Sequence, residues 1–491
     1  MFHSWTATAV TALSLLAAPA LAAPDSITLG MVLEPPSLDP TANAAAAIDE
    51  VVYANLFEGL TRFGPDGTIQ PALAESWEVS EDGKTWTFHL HEGVTFHDGA
   101  AFDASDAVFS LDRARAPDST NAQKQLFEGI TSVEAVDPTT LRIVLDAPDG
   151  TLPFKLAWGD AVMLDPASAE TAASKPVGTG PFRFVDWKQG DSVQLAAYDG
   201  YWGEKPALSS ATFRFISDPT AAFAAMMAED VDAFPIYPAP ETLAQLGADP
   251  RFKVIVGTTE GETILALNKA VSPLDDVRVR QAIAHAVDRQ ELIDGAMFGY
   301  GTPIGTHFAP HHPDYVDLTD RSAHDPDAAR ALLAEAGAEG LKLRLALPPT
   351  PYARRGGELL AAQLRDVGIE TTITNMEWAQ WLETVFKGKD YDMTIISHVE
   401  PMDIEIYARD EYYFNYDNPE LKKVMAEART TVDDAKRSDL LKEAQRIIAE
   451  DYANIYLFQL AKTGVANAKI EGLWENTPTP ANDLTGVHWV D

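Results

Sequence analysis

Cysteine is absent from all 491 residues of the chain. The protein therefore has no disulfide, no thiolate metal ligand and no cysteine nucleophile. A chain of this length does not need such cross-links, because it can bury a large hydrophobic core in two or three domains. There is also no cysteine to carry a lipid anchor, so we expect a protein that is free in its compartment.

Positive charge is scarce: 37 Lys and Arg residues stand against 74 Asp and Glu residues, which gives a formal net charge of −37 at pH 7. The acidic residues are spread along the chain and form no long run. Because phosphates would be repelled, a nucleic-acid partner is disfavoured. The charge is typical of a well-solvated surface, and it leaves open that the protein attracts cationic ligands.

Long hydrophobic stretches are missing after the first residues. Residues 7–22 are almost wholly apolar and end in the small-x-small sequence Ala20-Leu21-Ala22, which is typical of a signal peptidase site. The stretch is short for a membrane span, which needs about 20 apolar residues. We therefore expect residues 1–22 to be a signal peptide, and the mature chain to be periplasmic and not embedded in a membrane.

Motifs of hydrolytic catalysis are also missing, since the chain contains neither a Gly-x-Ser-x-Gly elbow nor a His-Glu-x-x-His pair. Paired carboxylates at 275–276 and 433–434 fall at predicted helix starts, where capping explains them. We expect no catalytic activity and no cofactor.

Hydrophobic periodicity indicates a mixed α/β chain. Alternation on both sides of Asp82-Gly83 predicts a β-hairpin over residues 77–90, because this dipeptide suits a tight turn. Apolar residues at helical spacing predict a helix over 276–293 with Asp275 as its N-cap. Arg278 and Arg280 near its start are expected on a solvated face.

Helix–strand units follow in the second half of the chain. The predicted elements are a helix over 326–336, capped by Asp325 and ended by Gly337; a helix over 357–367 before a strand over 369–373; and a helix over 435–450 before a strand over 455–458. Such alternation favours an α/β lobe with crossover connections.

Six motifs occur in a fixed order along the chain. They are PALAESW at 71–77, LHEGVTFHDG at 90–99, FDASDAV at 102–108, VGTGPF at 177–182, LNK at 267–269 and PLDDVRVRQAI at 273–283. In this combination, the chain resembles the family 5 extracellular solute-binding proteins, which are the peptide, nickel and oligopeptide receptors of ABC importers. The resemblance covers essentially the whole mature chain.

The resemblance implies an α/β, two-lobed Venus-flytrap periplasmic binding protein with an extra inserted domain, of the cluster C type. A ligand held between the lobes would favour the closed form, which the inner-membrane ABC permease reads. A monomer is expected. The implied segments are lobe one at 23–55, 178–265 and 465–491, the extra domain at 56–177, and lobe two at 266–464, with crossings near 266 and 464.

The ligand site implied by the resemblance lies mainly in lobe two. In peptide-binding members, a loop of the form Gly-Asp-x-x-Asp-Pro carries an Asp that binds the peptide α-amine. Alignment on Pro401 places Ser397 at that position, so Glu400 is the candidate substitute. The candidate ligand-binding residues are Glu34, Phe57, Arg354, Trp378, Ser397, His398, Glu400 and Tyr407, with Arg355 as an alternative to Arg354 and Trp381 beside Trp378.

Several ligands remain open at this stage. A di- or oligopeptide is expected, but the serine at position 397 also allows an oligosaccharide, an opine-like compound or a modified amino acid. His307, His311 and His312 raise the alternative of nickel or a metallophore complex, because imidazoles bind such ions well. Their proline-rich loop is a plain connector in the family, so no metal site is expected; a periplasmic hydrolase is the remote alternative.

Overall fold

The computed structural model describes residues 24–42, 45–399 and 403–490. The predicted signal peptide lies outside these residues. The strands, in chain order, are β1 Ser26–Met31, β2 Thr61–Phe63, β3 Ile69–Pro71, β4 Ala74–Val79, β5 Thr85–Leu90, β6 Ile130–Asp137, β7 Thr140–Leu145, β8 Phe182–Lys188, β9 Ser192–Ala197, β10 Ser210–Phe215, β11 Ala233–Phe234, β12 Phe252–Leu267, β13 Thr302–Pro303, β14 Lys342–Leu347, β15 Glu370–Asn375, β16 Met393–His398, β17 Ile455–Asn467, β18 Ile470–Glu471 and β19 His488–Trp489.

The α-helices follow the strands closely in the second half of the chain, as expected for an α/β fold. They are α1 Ala46–Val52, α2 Ala104–Arg115, α3 Leu152–Lys155, α4 Pro219–Met227, α5 Leu243–Gly247, α6 Val277–Ala286, α7 Arg289–Met297, α8 Pro326–Ala336, α9 Pro351–Asp366, α10 Trp378–Trp381, α11 Pro419–Thr430 and α12 Asp434–Glu450. A π-helical stretch, Leu382–Lys387, continues α10.

One large sheet runs through the molecule in the order β15-β14-β16-β12-β17-β11-β1-β10-β9-β8. The two long strands β12 and β17 pair antiparallel at its centre. On one side, β12 pairs with β16, which is joined by the parallel strands β14 and β15. On the other side, β17 pairs with β11, followed by β1 and β10. The chain therefore passes between the two halves of the sheet along β12 and β17.

The central strand pair changes register near its middle. Pairing is regular up to Thr258 and resumes at Glu262, with a bulge between them. The residues from Glu260 to Leu267 are buried, as is usual for a strand covered on both faces. Separate hydrophobic cores lie on the two faces of the β14–β16 half and beneath the β1–β10 half. This is the two-lobed arrangement expected from the sequence.

A smaller sheet of β4, β5, β7 and β6 forms its own core with α2. The predicted hairpin is confirmed: β4 and β5 are joined by a turn in which Gly83 has φ +69°. Trp86, Phe88 and Leu90 of β5 are buried. This sheet corresponds to the expected extra domain.

The helix predicted over 276–293 is wrong in its length, because the structure divides it into α6 and α7. Helix α6 ends at Ala286, and Asp288 caps α7 by accepting a hydrogen bond from the Glu291 amide at 3.0 Å. The first N-cap is Asp276 and not Asp275. Arg280, expected in solvent, is buried and donates to the backbone carbonyls of residues 274, 275, 451 and 452.

Other predicted elements need smaller corrections. The helix over 326–336 is confirmed with its Asp325 cap and its left-handed Gly337. Helix α9 starts at Pro351 rather than at 357, so Gly356 and Gly357 lie inside it. A Cβ on Gly357 would stand 2.4 Å from a methyl carbon of Leu347, so glycine lets the helix pack closely on β14. The strand predicted at 369–373 lies one residue later and extends to 375, and β17 extends to 467.

Candidate functional site

A cavity of about 710 Å³ lies between the two halves of the large sheet. Loops that follow β14 and β16 border it from lobe two, and a loop that follows β11 borders it from lobe one. Loops at the carboxyl ends of parallel strands are the usual place for ligands in α/β proteins. Its lining residues include Ala46, Pro238, Glu241, Glu260, Gly261, Met297, Phe298, Tyr300, Tyr352, Arg355, Val399, Leu460 and Pro478.

The lining is mainly apolar, with few charges. It includes several prolines and the rings of Phe298, Tyr300 and Tyr352, and its charged members are Glu241, Glu260 and Arg355. The Arg355 guanidinium lies over the Phe298 ring, 4.9 Å from its centroid. Phe298 is itself 46% exposed and ends α7 in the left-handed conformation. The cavity thus offers apolar surface together with one cation that can receive a carboxylate.

Ser397 and Tyr352 lie at one edge of this cavity. The Ser397 amide donates to the Tyr352 hydroxyl at 3.1 Å. Burial raises the pKa of Tyr352, so this hydroxyl stays protonated at neutral pH. Gly261 lies beside them, and a Cβ there would stand 2.9 Å from Leu460 and 3.1 Å from the Ser397 hydroxyl. A larger residue at this position would have to displace the end of the Leu460 side chain.

A buried group of acids and imidazoles lies behind the cavity. His307 Nε2 is 2.5 Å from Asp403 Oδ1 and 3.1 Å from Glu262 Oε1. These three ligand-type atoms lie within 4.8 Å of one another, and the His307 side chain is only 1% exposed. We call Glu262, His307 and Asp403 the acid–histidine triad.

Further polar residues surround the triad. His398 stands opposite Glu262 across the β12–β16 pair, and its Nδ1 lies 3.4 Å from Asp403 Oδ2. Its Nε2 lies 3.1 Å from the Tyr413 hydroxyl. Next along β12, Glu260 lies 2.7 Å from His311. The two glutamates of β12 therefore each meet a histidine of the segment that follows β13.

The surroundings of the triad shift the pKa values of its two carboxyl groups in opposite directions. Burial, together with the charges of Asp403 and Glu260, raises the pKa of Glu262 well above its usual range. Burial also acts to raise the pKa of Asp403, but the attraction of His307 and hydrogen bonds from His307 and His398 hold it below its usual range. Asp403 therefore carries the negative charge, and Glu262 is the carboxyl group that retains a proton.

A second cavity, of about 670 Å³, lies between the extra domain and lobe two. Trp77, Trp86 and Phe154 line it from the extra domain. Asp403 and His312 line it from lobe two. Asp403 of the triad therefore borders the second cavity, whereas Glu260, two residues before Glu262 on β12, borders the first.

The structure does not bring the two lobe-one candidates to the interlobe cavity. Glu34 accepts hydrogen bonds from Trp187 Nε1 and the Gly190 amide, at 3.0 and 2.9 Å, and ties the first loop to the β8–β9 hairpin. Phe57 is 0% exposed in the lobe-one core, where it packs against Gly178. Its ring has no exposed surface in this structure.

Two lobe-two candidates also lie outside the lining. Arg354 is on α9, not in a loop, and pairs with Glu377 at 2.9 Å, whereas its neighbour Arg355 lines the cavity. Trp378 is 44% exposed and packs edge-to-face on Trp381 at 5.8 Å. Trp381 is the buried anchor and donates to Thr394 Oγ1 at 3.0 Å. The two tryptophans thus do not share one ligand-facing surface.

The remaining candidates cluster around β16. Ser397 lies at the cavity edge, and His398 is buried beside the triad. Tyr407 is fully buried, accepts a hydrogen bond from Asn454 Nδ2 at 3.1 Å and places its ring 5.2 Å from that of His307. Glu400 lies outside the described residues. These residues lie around the candidate site, and the structure shows no ligand contact for them.

Several residues of the site escaped the sequence analysis. Glu260 and Glu262 shortly precede the motif at 267–269 and lie in the buried part of β12. Acidic residues in a strand that is buried on both faces indicate a buried polar site. Only the fold, however, shows that this strand is central and buried. His307 was considered together with His311 and His312, whereas its actual partners, Glu262 and Asp403, are far away in sequence.

Among residues 24–42, 45–399 and 403–490, no helix combines the length and the apolar content that a membrane crossing requires.

Comparisons with known proteins show to which of them this chain is similar. The family model of bacterial extracellular solute-binding proteins, family 5 Middle, matches residues 68–418. The chain is 31% identical over 428 residues to the dipeptide-binding protein of Escherichia coli (strain K12), which covers 78% of this chain and 79% of that protein. It is also 31% identical over 496 residues to the glutathione-binding protein GsiB of Pectobacterium atrosepticum, covering 96% of this chain and 95% of that protein.

Solved structures share the fold over nearly the whole chain. The unliganded open form of the periplasmic murein tripeptide-binding protein MppA has a TM-score of 0.86 at 23% identity, covering 96% of this chain and 98% of that chain. AgaA from A. tumefaciens R10, in complex with agropinic acid, has a TM-score of 0.72 at 26% identity, covering 95% and 99%. Members of the matched family serve ABC importers and are not enzymes. The chain belongs to the bacterial extracellular solute-binding proteins of family 5.

Proposed function

We propose that this protein is exported, captures a peptide-like solute in the interlobe cavity and delivers it to an inner-membrane ABC permease. The observation that carries the proposal is the 710 Å³ cavity itself, which is bounded by residues from both halves of the large sheet. A cavity of this size is typical of small-molecule sites. The mature chain would start near Ala23, and the solute would be released chemically unchanged.

The connection between the lobes supports a hinge at the middle of β12 and β17. Register is lost between Thr258 and Glu262, at the point where pairing changes from one half of the sheet to the other. Bulges of this kind locally disrupt the ladder and bend a strand. A solute that contacts both lobes binds the closed form more tightly, so it shifts the population towards closure. The permease would then recognise closure as occupancy.

The chemistry of the lining favours a solute with apolar groups and a carboxylate. Proline, aromatic and aliphatic side chains supply the apolar surface, and Arg355 supplies a planar cation that matches a carboxylate. The relatives named for dipeptides and for glutathione bind molecules of this type. A peptide C-terminus is therefore assigned to Arg355.

Recognition of a peptide α-amine needs an acidic partner. Ser397 cannot supply it, but Glu260 lines the cavity and is a carboxylate held beside His311. Glu400 stays a prediction from the sequence. Either carboxylate would bind an ammonium group more strongly after closure excludes water.

A second candidate is a non-peptide carboxylate such as an opine. Ser397 at the expected aspartate position and the similarity to AgaA in complex with agropinic acid favour it. Such a ligand would keep its carboxylate on Arg355 without needing an α-amine partner.

Mass spectrometry of the purified native protein tests the proposal, because a closed receptor retains solute during purification. The protein is sprayed under native conditions, the bound molecule is released and identified, and its affinity is then measured by calorimetry. A di- or oligopeptide supports the first candidate and an opine supports the second. Recovery of a cleaved or otherwise converted solute would contradict a pure binding function. A library of peptides and carboxylated solutes that gives no binding heat would contradict both candidates.

A further inference from the structure

We propose that the acid–histidine triad of Glu262, His307 and Asp403 is a binding site for a divalent transition-metal ion, separate from the solute cavity. The three side chains come from β12, from the segment after β13 and from the segment after β16, and they converge on one point beside the β12–β16 pair. The proposal does not rest on the identity of the solute.

The donor set fits a metal of the zinc type. Imidazole nitrogens and carboxylate oxygens are both ligands of Zn²⁺, and a zinc site with an open position is held by three protein ligands. Imidazole also favours Ni²⁺ and Co²⁺ and disfavours Ca²⁺ and Mg²⁺, which prefer oxygen-only ligands. The site therefore points to a first-row transition metal.

The spacing of the ligand atoms is close to what an ion would impose. Ligands of a tetrahedral ion with bonds of about 2.0–2.2 Å lie roughly 3.3–3.6 Å apart. His307 Nε2 lies 3.1 Å from Glu262 Oε1 and 2.5 Å from Asp403 Oδ1. A proton between nitrogen and oxygen now holds these atoms slightly closer. Entry of the ion requires His307 Nε2 and Asp403 Oδ1 to separate by roughly 1 Å.

Burial gives the triad a reason to hold a cation. The side chains of His307, Glu262 and Asp403 are 1%, 3% and 11% exposed, so two carboxyl groups share one almost dry space with a single imidazole. Ionisation of both carboxyl groups in this space would be costly unless a counter-charge neutralised them. A divalent ion neutralises both carboxylates and leaves His307 neutral, as a metal-bound imidazole must be.

The surroundings supply outer support and a route of entry. His398 Nδ1 lies 3.4 Å from the second oxygen of Asp403, and its other nitrogen faces the Tyr413 hydroxyl. Outer partners of this kind orient metal-binding carboxylates. Asp403 also lines the 670 Å³ cavity between the extra domain and lobe two. An ion can therefore reach the triad without passing through the solute cavity.

The test uses the full mature protein, first purified without chelator for metal analysis and then stripped. ZnCl₂ and CoCl₂ are titrated by calorimetry and by absorption of the Co²⁺ complex, and thermal unfolding is followed with and without Zn²⁺. We expect one saturable site, proton release on binding, and a rise in Tm with Zn²⁺. Glu262→Gln and Asp403→Asn should each weaken Zn²⁺ at least 100-fold and abolish the rise in Tm.

Matched controls separate this site from surface histidines. His324→Gln removes an exposed imidazole that lies 3.5 Å from Asp288, and Glu335→Gln removes an exposed carboxylate. Both variants should bind Zn²⁺ like the parent. If a triad variant fails to fold, the Co²⁺ spectrum of the parent decides, since a buried nitrogen–oxygen site gives intense tetrahedral bands and surface binding gives weak octahedral ones. Binding lost in His324→Gln, a weak octahedral spectrum, or unchanged affinity in folded triad variants would overturn the proposal.

Discussion

Replacement of Arg355 by glutamine tests how the interlobe cavity recognises its solute. Arg355 is the cation among the cavity residues given above, and it lies on the first turns of α9 over the Phe298 ring. The substitution keeps a long polar side chain, so the helix and the cavity wall should be retained. What it removes is the positive charge and the forked donor pair that fits a carboxylate.

The expected loss follows from the environment of the guanidinium. It is exposed now and would be largely removed from water when the lobes close on a solute. A hydrogen bond to a charged group contributes about 1.5–3 kcal/mol, which corresponds to a factor of roughly 10–150 in Kd. The contact with Phe298 adds about 0.5–1 kcal/mol at most at an exposed site.

Calorimetry with a peptide ligand and its C-terminally amidated form isolates this contribution. The parent protein should bind the free acid more tightly than the amide, by a factor of roughly 10–150 in Kd. The Arg355→Gln variant should bind the acid and the amide with equal affinity. Arg354→Gln is the matched control, because the adjacent arginine pairs with Glu377 and does not line the cavity. A strong preference for the free acid that survives in Arg355→Gln would refute the assignment of the carboxylate to Arg355.

Three further predictions concern the fold that holds the site. Arg280→Met should lower the free energy of unfolding by about 3–5 kcal/mol in urea titrations, since it leaves buried carbonyls without their donor. The control Arg278→Met removes an exposed ion pair and should change the free energy of unfolding by less than about 1 kcal/mol. Gly178→Ala should destabilise strongly because its Cβ would stand 2.0 Å from a backbone carbonyl oxygen, while Gly486→Ala, with nothing within 4 Å, should not; equal Tm values would contradict this. Burial raises the pKa of Asp160 to about 7, so the unfolded chain loses this proton at a lower pH than the folded protein does. The free energy of unfolding should therefore fall by up to about 4 kcal/mol as the pH rises from about 4 to 7. Asp160→Asn should raise Tm at pH 8 and make this fall smaller.

Local signals in the sequence predicted the first hairpin and several helix–strand units of the second half of the chain. The Asp-Gly turn of the first hairpin and the Asp325, Pro326 and Gly337 signals of α8 were sufficient, because each acts within a few residues. Helix α6 was predicted too long because Asp288 reads as a polar position on an amphipathic helix until its capping of α7 is seen. Gly357 looked like a helix start, and only its contact with Leu347 explains a glycine inside a helix.

The site was less predictable than the fold, because its residues meet through long-range contacts. Arg354 and Arg355 are equivalent in sequence, and the orientation of α9 alone decides which of them reaches the cavity. The triad joins positions 262, 307 and 403 through pairing of β12 with β16 and packing of the segment after β13. No periodicity or spacing in the sequence relates these three positions.

Small-angle X-ray scattering of the mature protein, with and without a saturating solute found by mass spectrometry, measures whether the two lobes close on the solute. Hinged closure over the interlobe cavity predicts a smaller radius of gyration in the presence of the solute, with no change in molecular mass. A radius of gyration that stays the same while calorimetry shows full occupancy would contradict the account.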